Sequence, residues 1–84
     1  MINDFKIGDL VYIINDCYFF MNHRARVLSV GGVGIIIQTD PPEKYYNDEL
    51  MLRFHKDSVK VQVSDGISGW VQKENLKLVC QKDE

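Results

Sequence analysis

The chain is short of the residues that carry chemistry. It has two cysteines, two histidines, two prolines and one tryptophan in 84 residues. Cys17, His23, His55 and Cys80 are every cysteine and histidine present. None of them forms a close pair of the C-x-x-C kind, which would preorganise a tetrahedral site, so no metal is expected. The plain reading is two packed thiols and two surface imidazoles. Cys17 with His23 lacks the third orienting group that a nucleophile and base require, and the carboxylates show no pairing typical of a hydrolase. No catalysis and no cofactor are expected.

Long apolar runs are missing too. No stretch approaches the roughly 20 residues of a membrane helix. The opening MINDFKIGD has no basic region followed by an apolar run, so no signal peptide is expected. These absences point to a cytoplasmic protein with reduced thiols and no membrane partner, although spacing alone leaves open whether Cys17 and Cys80 pair. A basic excess is also absent: ten Lys and Arg stand against twelve Asp and Glu, for a net charge of −2. Dedicated nucleic-acid binders usually carry such an excess, because neutralising phosphate supplies most of their affinity.

The remaining composition is that of an ordinary globular domain, 45% hydrophobic and 26% charged. Residues 1–84 form one domain. A chain this size buries only about 60–65% of its unfolded surface, so local packing weighs heavily.

The pattern along the chain is β. Leu10-Val11-Tyr12-Ile13-Ile14 follows a Gly8-Asp9 turn signal and reads as a buried strand. Cys17 to His23 is an aromatic connection, Arg24 to Val30 a second strand, Gly31-Gly32 a hairpin turn, and Gly34 to Thr39 a third strand. Residues 40–49, DPPEKYYNDE, are the longest loop, since two consecutive prolines cannot sit in a central strand. Leu50, Leu52 and Phe54 then alternate with Met51, Arg53 and His55, with no long helical period. Val59, Val61 and Val63 alternate with Lys60, Gln62 and Ser64 up to the Asp65-Gly66 turn. Gly69-Trp70-Val71 is a brief strand, residues 72–75 a single 3-10 turn, and Leu76 to Cys80 the last strand before a polar tail. About five or six short strands with frequent turns predict an all-β small barrel or sandwich.

Two stretches carry a family resemblance. "GWV", a polar turn, then "NLKLV" at residues 75–79 resembles the closing segment of Src-homology-3-like (SH3-like) barrels. "FKIGDLV" at residues 5–11 resembles the entry to an early strand of the same barrels and of KOW and Tudor modules. The resemblance covers about a third of the chain, at its two ends. It implies an SH3-like small barrel of five to six short antiparallel strands with one 3-10 turn. Peptide-binding members carry paired tryptophans and a Pro-and-Tyr pair in the 3-10 turn. Here Trp70 stands alone and Lys73 and Asn75 occupy the turn, which argues against polyproline binding.

Candidate binding residues follow from aromatic and charged clusters. In Tyr18-Phe19-Phe20-Met21 alternate residues face inward, so either Phe19 and Met21 or Tyr18 and Phe20 remain outside as an interface. In the 40–49 loop Tyr45 and Tyr46 can anchor a protein partner while Asp48 and Glu49 meet its basic groups. Tyr18, Phe20, Tyr45, Tyr46, Asp48 and Glu49 are therefore the protein-binding candidates. Asp40, Glu43, Asp48 and Glu49 would repel phosphate. Arg24, Arg26, Arg53 and Lys60, with His23 and Lys56, are the nucleic-acid candidates if they share one face. The reading is a non-catalytic protein-interaction module, in its narrower form an adaptor or inhibitor of a host protein carried by a phage or mobile element. The alternatives are a KOW/Tudor-like nucleic-acid-binding module and a homo-oligomeric structural subunit.

Overall fold

The computed structural model describes residues 5–21 and 24–80; His23 and the tail 81–84 lie outside them. The strands are β1 (Leu10–Ile13), β2 (Cys17–Phe20), β3 (Ala25–Leu28), β4 (Val33–Gln38), β5 (Ser58–Val63), β6 (Ser68–Gln72) and β7 (Leu76–Cys80). Helix α1 spans Glu49–Lys56, and 3-10 turns occupy Glu43–Tyr45 and Lys73–Asn75. The seven strands make one antiparallel sheet in the order β3-β2-β6-β5-β4-β1-β7.

Period-2 alternation decides which face is buried. Val11 and Ile13, Phe19, Ile36, Val59 and Val61, Val71 and Leu76 pack into one core. These residues come from both halves of the strand order, so the sheet curls over its own inner face. The expected closed barrel does not form. The sheet stays open, with β3 and β7 as its edges, because the β2–β3 hairpin extends it beyond β6 without meeting β7.

Turn chemistry behaves largely as the sequence implies. Gly8 has φ 98°, which a side chain rarely adopts. It lets the buried Asp9 carboxylate accept from the Lys6 N–H at 2.8 Å while the Asp9 N–H donates to the Lys6 carbonyl. Asp65-Gly66 closes the β5–β6 hairpin, with the Val63 N–H donating to the Ile67 carbonyl.

Three local expectations are corrected. The aromatic connection at residue 17 begins as strand β2, paired with a shorter β3 than expected. Its inward Cys17 and Phe19 pay for the strand by filling the core, and Tyr18 and Phe20 are the pair left outside. Gly31-Gly32 turns the chain, but β3 and β4 do not form a hairpin, since β2, β6 and β5 lie between them. The Gly31 N–H instead donates to the Ile13 carbonyl at the end of β1.

The third correction concerns residues 50–55, which are helical rather than extended. Asp48 is the N-cap, and its carboxylate accepts from the Met51 N–H at 3.1 Å. Glu49 lies in the first turn and Arg53, His55 and Lys56 in the last, as the helix dipole favours. At the other end Ser58 donates to the Phe54 carbonyl at 3.0 Å. The helix has only eight residues, too few to be stable alone, so its packing on the sheet holds it.

Candidate functional site

The site is built on the outer face of the sheet. Phe20 pairs with Trp70, and Trp70 with Lys60, so these three side chains share that face. Gly69, next to Trp70, points inward, and a Cβ there would lie 2.8 Å from the Phe20 carbonyl oxygen and 3.2 Å from the Phe19 ring. Glycine therefore lets β6 lie close to β2 at the floor of the site.

The segment between β4 and β5 covers this floor. Trp70 is only 9% exposed although it faces away from the core. His55 covers it, edge to face, with ring centroids 4.2 Å apart. Phe54 meets Phe20 at 5.3 Å in a T-shaped contact, and Tyr45 lies 5.1 Å from the His55 ring. The two edge-to-face contacts, His55 on Trp70 and Phe54 on Phe20, suit the quadrupoles of the rings. Between cover and floor is a pocket of about 360 Å³, walled by Phe20, Met21, Tyr45, Met51, Phe54 and Trp70, with Pro42, Lys44, His55 and Lys60 completing the lining.

His55 corrects the expectation of a surface imidazole: it is 2% exposed. Its Nδ1 lies 2.9 Å from the Met51 carbonyl one turn earlier. A carbonyl only accepts, so Nδ1 carries the hydrogen and the ring is fixed in orientation. Burial and the neighbouring Asp16 carboxylate push the Cys17 thiol up from its ordinary value. Cys17 is buried and free, which makes it a poor nucleophile. Among the described residues no three His, Cys, Asp or Glu side chains gather as a metal-holding group, and no helix is long and apolar enough to cross a membrane.

Of the protein-binding candidates, Phe20 and Tyr45 come together in the pocket wall. Tyr18 lies beside Phe20, with ring centroids 6.1 Å apart, and is 62% exposed. Tyr46 is exposed outside the lining. Asp48 caps the helix, and Glu49 faces Arg53 one turn on at 3.7 Å. The basic candidates do not share one side of the sheet. Arg26 pairs with the inward Phe19, whereas Lys60 pairs with the outward Trp70. Arg24 precedes β3 and Arg53 is on α1.

Sequence reading did not assemble Trp70, Phe54, His55 and Met51 as a wall. A signal was present: Asp48, then Met51, Phe54 and His55 at helical spacing behind an N-cap. No protein-family model, no curated protein and no solved structure matches the chain.

Proposed function

We propose that the chain is a non-catalytic protein-interaction module of SH3-like type that binds its partner through this outer face. The observation that carries the reading is the exposed Tyr18–Phe20 pair, which continues directly into an aromatic- and methionine-walled pocket. Exposed apolar patches next to a concave pocket mark binding sites, and Tyr, Phe, Trp and Met are the residues enriched there. The fold assignment is supported by the run β7-β1-β4-β5-β6, in which the first and last strands lie side by side and a 3-10 turn joins β6 to β7. An adaptor or inhibitor of a host protein is the narrower form of the same proposal.

The test is recovery of partners from bacterial lysate on the tagged protein, with and without nuclease, beside a Tyr18→Ser variant. A stoichiometric protein that survives nuclease and is lost with Tyr18→Ser supports the module. Recovery of nucleic acid, with proteins lost on nuclease treatment, overturns it in favour of the KOW/Tudor-like reading.

A second reading, self-association, is favoured by another part of the outer face. Leu10 pairs with Ile35 and Tyr12 with Val33, and all four are more than a third exposed, at 38–45%. Sedimentation of the wild type and of Ile35→Lys tests this: a dimer abolished by the lysine supports it, and a monomer at all concentrations excludes it.

A further inference from the structure

The pocket's walls and its charges point in different directions. Aromatic walls alone would suit a cation, since ring faces attract ammonium groups. Here a cation already lies at one of those rings: Lys44 Nζ sits 5.1 Å from the centroid of the Tyr45 ring. Lys60 lines the same pocket, and no Asp or Glu does. Among the described residues the only ion pair is Arg53 with Glu49, and none of their carboxylates pairs with either pocket lysine. Asp48, the nearest acid before α1, is engaged by the Met51 N–H. In a chain with a net charge of −2, this is a locally basic, apolar recess.

We infer that the pocket receives one large apolar side chain, aromatic or long aliphatic, from a partner protein, while an adjacent acidic residue of that partner meets Lys44 and Lys60. The inference deepens the interaction-module reading and rests on it. Three observations select this occupant. A volume of about 360 Å³ lies at the low end of ligand sites, about 300–1,000 Å³, and is large enough to take in one large side chain. Two ammonium groups with no carboxylate partner among the described residues favour a carboxylate and oppose a basic or methylated-lysine segment. The exposed Tyr18 beside Phe20 extends the apolar surface beyond the pocket mouth, giving the residues flanking the anchor something to rest on, as a chain does and a small molecule does not.

The test titrates the full, isotope-labelled chain with three acetylated, amidated pentapeptides, followed by NMR. One has the sequence Gly-Asp-Phe-Glu-Gly, one has lysine at both acidic positions, and one has alanine for phenylalanine. The acidic aromatic peptide should shift the Trp70 indole N–H and the Phe54 and His55 amides saturably. The lysine peptide should bind about tenfold more weakly or worse, as for charges set against like charges. The alanine peptide should lose the Trp70 response. Lys44→Gln with Lys60→Gln should remove the acidic preference while leaving the unbound spectrum dispersed and folded.

Equal or tighter binding of the lysine peptide overturns the inference, as do shifts confined to other parts of the chain or no shift with any peptide at millimolar concentration. The two readings fail differently. A partner captured from lysate whose binding survives the Lys44→Gln, Lys60→Gln change overturns this inference and leaves the module standing. Saturable binding of the acidic peptide with no protein captured upholds the chemistry of the pocket and counts against the module's stable capture of a partner.

Discussion

The His55 imidazole meets the Trp70 indole edge to face, with 4.2 Å between ring centroids, and this contact fastens α1 to the sheet. Trp70 belongs to β6 and His55 to the last turn of the helix. Neither belongs to the inner core cluster. The protein thus has two apolar assemblies, one inside the curled sheet and a smaller one beneath the segment between β4 and β5.

Trp70→Ala should therefore destabilise strongly even though Trp70 faces outward. The expected loss is about 3–5 kcal/mol, as for other buried aromatics, measured by chemical denaturation. A loss under about 1 kcal/mol would mean that the helix does not stay seated on the sheet.

Tyr45 and Tyr46 should separate cleanly. Tyr45 is half-buried against His55, while Tyr46 is 57% exposed. Tyr46→Ala should change stability by less than about 0.5 kcal/mol. Tyr45→Ala should cost about 0.5–1.5 kcal/mol beyond the area it buries. Equal effects on the thermal midpoint would contradict this placement.

Asp48→Ala removes the acceptor of the Met51 N–H and should cost about 1 kcal/mol. Glu49→Ala breaks only an exposed pair with Arg53 and should cost no more than about 0.5 kcal/mol. Denaturant midpoints of the two variants decide whether the cap or the ion pair matters.

Gly69→Ala should cost about 1–3 kcal/mol, the range for overpacking. The added methyl would meet the Phe20 carbonyl oxygen, which is backbone, and the Phe19 ring. Relief requires β6 and β2 to part, so amide exchange in β2 should rise. Unchanged exchange and stability would show that the strands are not packed this closely.

The Cys17 thiol, raised above 9.0 by burial and by Asp16, links stability to alkaline pH. The folded state holds this proton more tightly than the unfolded chain does. The stabilisation is complete below about pH 9 and is lost as pH rises through the folded value. The wild type should accordingly lose stability more steeply than Cys17→Ala above about pH 9. Parallel curves would show that the thiol titrates alike in both states.

Much of the inner core was legible because strand alternation is local. Val59, Val61, Val11 and Ile13 announce one buried face, and Gly8 and Asp65-Gly66 announce turns. Helix α1 is ambiguous in the sequence because a six-residue stretch carries both a period of two and an i, i+3, i+4 pattern. In such a window the Asp48 cap is a better guide than hydrophobicity.

The site was only half visible, for a different reason. Phe20 stands out in an aromatic run and Tyr45 in a polar loop, but their meeting depends on where strands distant in sequence pair. The sequence by itself determined the β class, the Gly8-Asp9 and Asp65-Gly66 turns and the alternating core, because each follows from backbone geometry and side-chain periodicity over a few residues. Only the tertiary structure decided that β2 pairs with β6, that the sheet remains open, and that His55 covers Trp70. Those outcomes depend on non-local pairing and on close approach at Gly69, and no short window of residues encodes either.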